Sequence, residues 1–196
     1  MKNKEFVLKL LKENNNILKS SDLKKYNINN TVLIRLMNDG VIERIAKGLY
    51  IDSNSIEDEF YTFQYKCKKA IFSHSTALYF NDLSDRSPIK YMVTVPSGYN
   101  SRFIKDDRYV FNYIKKDLYD LGKIKVKTIY QNEVLCYDIE RTICDIVRNK
   151  DKIDPALFVD AMKRYVLLKN NNYRKLYEYA EKLGIKNEIV KYMEVL

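Results

Sequence analysis

The chain has 196 residues, 46% of them apolar, and a formal net charge of +9; this is enough for a small module plus one larger domain, each with its own core, and no segment approaches the apolar length of a membrane span. The excess of lysine and arginine agrees with a polyanionic partner, yet it is spread along the chain, +4 over residues 1–52 and +5 over residues 53–196, and the abundance of Lys, Asn, Ile and Tyr also fits an AT-rich genome. The 5 glycines are scattered at turns, which excludes a glycine-rich phosphate loop and counts against a nucleotide-using enzyme.

From the N-terminus, Phe6, Val7, Leu10 and Leu11 fall at helical spacing with lysines and glutamates opposite, which predicts an amphipathic first helix stopped by Asn14, Asn15 and Asn16. The apolar stretch from Phe6 to Leu11 is broken by Lys9 and lacks the continuous core of a signal peptide. Ser20 or Ser21 is positioned to cap a short second helix through Tyr26, followed by a turn at Asn27 and Asn29. Asn30 or Thr31 opens a third helix, in which Leu33, Leu36 and Met37 face inward and Thr31, Ile34, Arg35 and Asn38 face outward. Gly40 suits the left-handed position after its end. Two short strands then flank a tight turn through Ala46, Lys47 and Gly48, with Arg44 and Lys47 expected at its tip. Three helices followed by a basic hairpin read as a winged helix-turn-helix over residues 1–54, with the third helix as reader of double-stranded DNA. The contact set expected for it is Ser20, Thr31, Ile34, Arg35, Asn38, Arg44 and Lys47, some reaching base edges and others phosphate. Since one such module reads few bases, the operator is expected to hold repeated half-sites.

Asp52 to Ser55 forms a short polar joint, and residues 55–196 are expected to be a mixed α/β domain with a helical C-terminal end. Ser55 is expected to cap a helix running to about Lys69, followed by a brief strand at Ala70 to Phe72 and a helix in HSTALYFN. YMVTV, RYVFNYI, IKVKTIY and VLCYD read as strands, the last two paired across a turn at Gln131 to Glu133. Ile139 to Asn149 continues as a helix with Ile143, Ile146 and Val147 inward. Three more helical segments close the chain, one starting after Asp154 and Pro155. The overall class is α+β.

Taken together, a hairpin ending in KGLYI, then FSHSTALYFNDLSDR, YMVTVPSGYN and YDIERTICDIVRN, and a helical tail resemble in order and spacing the AbiEi family, antitoxins of type IV toxin-antitoxin systems used in abortive phage infection. The likeness covers essentially the whole chain. It implies an N-terminal domain that represses the antitoxin's own promoter and a C-terminal domain that counters a nucleotidyltransferase-like toxin without forming a stable complex with it.

Chemistry-bearing residues are few. Cys67, Cys136 and Cys144 have no C-x-x-C spacing and read as reduced, mostly buried thiols of a cytoplasmic protein. His74 is the one histidine, flanked by Ser73, Ser75 and Thr76 at a helix start; adjacent side chains there are expected to point apart, which favours a capping serine and a structural histidine over a nucleophile with its base. Asp138, Arg141 and Asp145 stand at spacings of three and four, as for an N-cap and an ion pair, whereas a nuclease would gather Asp138, Glu140 and Asp145 around a metal. No metal, cofactor or catalytic residue is expected. Lys123, Lys125 and Lys127 share one strand face and, with Lys115 and Lys116, form either a solvated, aggregation-resistant edge or a polyanion-binding antitoxin surface. Two other readings stay open beside the antitoxin: a nuclease-like enzyme delivered by the DNA-reading module, and a transcription factor whose second domain senses a ligand.

Overall fold

The N-terminal amphipathic pattern forms helix α1, Lys2–Glu13, whose Val7, Leu10 and Leu11 are buried. The structure, a computed structural model, describes residues 2–100 and 102–195. The chain divides into two compact units, residues 1–66 with 127–133, and residues 67–126 with 134–196.

In the first unit α1 is stopped by asparagines, as expected. The Asn14 amide donates to the Leu10 carbonyl (2.7 Å), and Asn15 and Asn16 take left-handed backbone at φ 54° and 60°, a conformation asparagine tolerates better than most side chains. The chain then makes a three-residue strand, β1 (Ile17–Lys19), too short to announce itself in the sequence, and enters α2 (Ser20–Lys25). Neither serine caps α2: Lys19 holds the cap position without a side-chain bond, and the Ser20 amide donates instead to the Gly48 carbonyl (2.9 Å). Helix α3 (Thr31–Asn38) follows, with the Asn29 carboxamide oxygen accepting from the Thr31 amide at 3.0 Å. Strands β2 (Ile42–Ala46) and β3 (Leu49–Asp52) form the hairpin, and with β1 they make an antiparallel sheet in the order β1-β3-β2. Ala46 pairs with Leu49, leaving Lys47 and Gly48 as the loop. Gly48 is required there: at φ 77° a side chain is strained, and a Cβ would lie 2.8 Å from the Ser20 hydroxyl. The core of these elements is built from Val7, Leu10, Leu18, Leu23, Leu33 and Leu36, with Ile42 and Tyr50 of the hairpin.

The helix expected from Ser55 begins later, as α4 (Glu59–Lys66). Asp52 explains the delay, since it holds residues 52–55 in a turn by accepting from the Asn54 and Ser55 amides, each at 2.9 Å. Asp58, not Ser55, takes the capping role through Tyr61 N–H (3.1 Å). Its other oxygen accepts from Thr128 Oγ1 (2.6 Å) and Asn132 Nδ2 (2.8 Å), a buried clasp that ties residues 127–133 to the N-terminal elements. Helix α4 belongs there too: Tyr65 Oη donates to the Lys47 carbonyl, and Lys19 Nζ lies over the Tyr61 ring. The joint expected at residues 52–55 is therefore a turn within the first unit, whose main stretch runs on to Lys66.

The second unit carries a five-stranded sheet in the order β6-β5-β4-β8-β7, where β4 is Ile71–Phe72, β5 Tyr91–Pro96, β6 Tyr109–Ile114, β7 Lys123–Lys127 and β8 Glu133–Tyr137. Helix α5 (His74–Phe80) follows β4, and the short α6 (Lys116–Tyr119) precedes β7. Strand β5 runs parallel to β6 and antiparallel to β4, and β4 runs parallel to β8. Helix α7 (Ile139–Arg148) is the centre of this unit, every residue from Glu140 to Val147 being buried. Helices α8 (Pro155–Leu167), α9 (Tyr173–Lys182) and α10 (Lys186–Val195) close the chain, with Ala161, Tyr165, Leu176, Ala180 and Ile189 packed into the core around Ile143 and Ile146. Asp138 caps α7 as expected, accepting from Arg141 N–H (2.9 Å), and Asp154 caps α8, which starts after it as expected, accepting from Leu157 N–H (2.8 Å). The architecture is the expected mixed α/β arrangement with a helical C-terminal end. No helix among the described residues is long and apolar enough to cross a membrane.

Candidate functional site

Helix α3 presents the surface on which recognition of a polyanion would depend. Leu33 and Leu36 are buried, so the helical repeat turns Thr31, Ile34, Arg35 and Asn38 outward, and all four are exposed, Ile34 at 54%. Thr31, Arg35 and Asn38 stand at i, i+4 and i+7 on one stripe. Arg35 enters no ion pair among the described residues, so its guanidinium stays available for an acceptor outside the chain. Of the hairpin cations, Lys47 sits exposed in the two-residue loop as expected. Arg44 does not share the tip: it lies on β2 opposite Tyr50, exposed, with Nε donating to the Ala46 carbonyl at 3.3 Å. Ser20 is half-buried against the hairpin loop, and its amide is already used.

Strand β7 lies at the edge of the larger sheet, and Lys123, Lys125 and Lys127 are exposed on it. Ile124 is exposed as well, so the strand does not show the expected alternation of a buried and a solvated face. Lys123 is partnered: it forms an ion pair with Asp120 and lies over the Tyr119 ring. Lys115 and Lys116 are exposed just before and at the start of α6.

The single histidine is where expectation and geometry differ most. His74 has left-handed backbone, φ 51°, which turns its ring back toward its neighbour, so that Nδ1 is 2.9 Å from Ser73 Oγ. The adjacent side chains therefore meet, and Ser73 makes no capping bond. Thr94 Oγ1 donates to the same hydroxyl (2.9 Å), and the Asn149 amide donates to Nε2 (3.0 Å). Those contacts are all satisfied by a neutral ring with its proton on Nδ1, donating to Ser73. Burial accordingly pushes the imidazole below its usual range; the Asp145 carboxylate opposes this, and Arg141, Arg148 and Lys152 add to it.

The carboxylates of α7 are spoken for. Asp138 and Glu140 both pair with Lys175 of α9, at 2.9 and 3.0 Å, rather than with Arg141. Arg141 pairs with Asp145 at 3.0 Å, and both side chains are buried, where the spacing alone suggested a pair along a helix face. Among the described residues no cluster of three or more His, Cys, Asp or Glu is arranged to hold a metal. Cys67, Cys136 and Cys144 are buried and form no disulfide with one another, and burial pushes the thiols of Cys136 and Cys144 far above the ordinary range.

Sequence reasoning missed Asn112, Arg148, Asn149 and Lys152, which converge with His74 and Arg141 on one cavity. They come from β6, the end of α7 and the 3-10 turn that follows it, and no spacing in the sequence relates Asn112 or His74 to the group at 148–152.

No protein-family model matches this chain, and no functionally curated protein matches it. Among solved structures it is similar to the crystal structure of the RV2827C protein from Mycobacterium tuberculosis. The superposition has a TM-score of 0.59 at 11% sequence identity and covers 90% of this chain and 70% of that one. At that identity the likeness speaks for the fold alone.

Proposed function

We propose that this protein is a cytoplasmic, non-enzymatic antitoxin that represses its own promoter through an N-terminal winged helix and counters a nucleotidyltransferase-like toxin without a stable complex. The observation that carries the DNA-reading half is the outward stripe of α3, an exposed arginine flanked by Thr31 and Asn38, followed in the chain by a hairpin with Lys47 at its tip. Arginine makes the commonest specific contact in the major groove, bidentate to guanine, while a lysine on the hairpin supplies sequence-independent attraction to phosphate. Arg35→Ala is expected to cost roughly 1–3 kcal/mol of operator binding and to relax sequence preference. Lys47→Ala is expected to weaken all sequences alike and to flatten the salt slope by about one unit. Mobility-shift titrations at several salt concentrations measure both, and unchanged binding by both variants would sink the assignment.

The antitoxin half is supported by the order of the KGLYI, FSHSTALYFNDLSDR, YMVTVPSGYN and YDIERTICDIVRN motifs. The exposed lysines 115, 116, 123, 125 and 127 are a surface on which a toxin's nucleotide or RNA substrate could be contested. In co-expression with the toxin, the full-length chain carrying Arg35→Ala and Lys47→Ala is expected to restore growth, because DNA reading and neutralisation use different residues. Lys115→Glu, Lys116→Glu and Lys127→Glu together are expected to abolish the rescue with the circular dichroism spectrum unchanged. Rescue by the charge-reversed chain would remove this surface from the mechanism.

A further inference from the structure

The larger sheet ends in two unlike edges. Strand β7 carries Lys123, Lys125 and Lys127, which deter a further strand from pairing with it, whereas β6 has the sequence YVFNYI, six residues without a charge or a proline. Strand β6 is in unbroken parallel register with β5, from Tyr91 opposite Tyr109 to Pro96 opposite Ile114. The Arg108 and Ile114 carbonyls accept from the Tyr91 and Ser97 amides. Peptide groups alternate in direction along a strand, so the even-numbered positions of β6 turn theirs to β5, and the Tyr113 N–H and carbonyl turn outward. Among the described residues no strand lies beyond β6, and Tyr113 is 48% exposed.

This edge borders a groove that lies wholly within the second unit. The cavity at His74, about 220 Å³, runs along positions 111–114 of β6, and a more apolar one of about 650 Å³ runs along positions 110–112. Across from the strand the chain between Arg148 and Leu157 lines both, with Lys152 shared between them. The wider part is lined by Met92, Ile153 and Leu157, and by Ile89, which is 96% exposed. Of the charges around the groove, the carboxylates of Asp145 and Asp154 are taken by Arg141 (3.0 Å) and Arg86 (3.8 Å). Lys90, Arg148 and Lys152 are all exposed and enter no ion pair among the described residues. The groove is therefore apolar at one end, cationic along its wall, and open along a strand edge.

We infer that an extended, acidic segment of another protein binds here by adding to the sheet as a strand beside β6. In strand addition the main chain supplies affinity and pockets for alternate side chains supply specificity. The Tyr113 peptide groups bond to the added main chain. Its alternate side chains, roughly 6.6 Å apart, enter the groove, apolar ones against Met92 and Leu157 and acidic ones toward Arg148 and Lys152. Charge selects this occupant over a second copy of the chain, because self-pairing would bring two sets of Lys90, Arg148 and Lys152 together, cation against cation. The inference is independent of the function proposed above, since none of Arg35, Lys47, Lys115, Lys116, Lys123, Lys125 and Lys127 lines the groove.

Fluorescence-anisotropy titration of the full-length protein with blocked octapeptides tests it. Every second residue is threonine, and between the threonines two leucines either precede or follow two aspartates, so that both strand directions are covered. At least one order should bind, and the same peptide with lysine in place of aspartate should bind about tenfold more weakly or worse, the loss of one charge-assisted hydrogen bond. Methylating the amide nitrogens of one alternate set of peptide residues should abolish binding, and methylating the other set should spare it, because only one set faces β6. Tyr113→Pro removes an outward N–H that β5 does not use, at a position where an edge strand tolerates proline, and should lower the affinity about tenfold with the circular dichroism spectrum unchanged. Tyr113→Phe should bind like the parent. Arg148→Glu with Lys152→Glu should reverse the preference toward the lysine peptide. Absence of binding by both orders at millimolar concentration would overturn the site, and equal effects of the two methylation patterns would overturn strand addition, whether or not Tyr113→Pro folds. Equal binding of the aspartate and lysine peptides would overturn the acidic character of the partner. A dimer in sedimentation that Tyr113→Pro or Tyr113→Asp disperses would make a second copy the occupant and overturn the proposal.

Discussion

Arg141→Ala is expected to lower the unfolding free energy by about 3–5 kcal/mol, the usual cost of removing one partner from a buried ion pair. The Arg141 side chain has no exposed surface and that of Asp145 only 4%. The guanidinium also donates to the Leu118 and Leu121 carbonyls and stacks over the Tyr137 ring, 4.2 Å from its centroid. Its removal strands a carboxylate and two carbonyls in a region that water does not reach. Simple loss of volume would give a smaller effect, so Arg141→Met is expected to remain strongly destabilised. Combining Arg141→Met with Asp145→Leu should recover part of the loss, because no charge is then left without a partner. Urea unfolding followed by circular dichroism measures all three variants; a loss below about 1 kcal/mol for Arg141→Ala would show that the pair is weakly coupled to the fold.

The second large effect is expected at Asp58. This carboxylate is 1% exposed and is met by three donors, Thr128 Oγ1, Asn132 Nδ2 and the Tyr61 amide. Asp58→Ala should cost about 3 kcal/mol, since hydrogen bonds to a charged acceptor contribute about 1.5–3 kcal/mol and two of the donors left behind, Thr128 and Asn132, are themselves buried. Asp58→Asn keeps one oxygen acceptor and should cost less. Amide exchange provides the local readout: in Asp58→Ala, exchange across 127–133 should accelerate well before that of α7. Equal protection of that segment in the variant and the parent protein would show that Asp58 does not hold it.

What could be read from the sequence was local. The apolar repeat of α3, the asparagines that stop α1, the capping aspartate at 138 and the helix start after Asp154 and Pro155 each depend on residues within four positions of one another, and each matches the structure. Reading failed where a distant partner overrides a local preference. Ser20 and Ser55 have the chemistry of helix caps, yet the Ser20 amide answers Gly48 and Ser55 is held in a turn by Asp52, so neither cap forms. The same reason hid the cavity. His74, Asn112 and the pair Arg141 and Asn149 come from three separate elements, α5, β6 and α7 with its C-cap, and the left-handed backbone at His74 brings its ring onto Ser73 and toward the others. The exposed positions of α3 were legible because burial of Leu33 and Leu36 fixes the opposite face; the pairing of Lys123 with Asp120 and Tyr119 follows from the fold around β7 and was not.

The clasp at Asp58 also sets a schedule. Thr128 lies 70 positions beyond Asp58, and a ribosome adding about 5–20 residues each second needs roughly 4–14 s to polymerise the intervening chain. For that interval α1 to α4 can pack through their own leucines, but the Asp58 carboxylate must keep its water. The N-terminal unit of a nascent chain is therefore looser than that of the finished protein, and it acquires its last hydrogen bonds only when about half of the second unit has been synthesised.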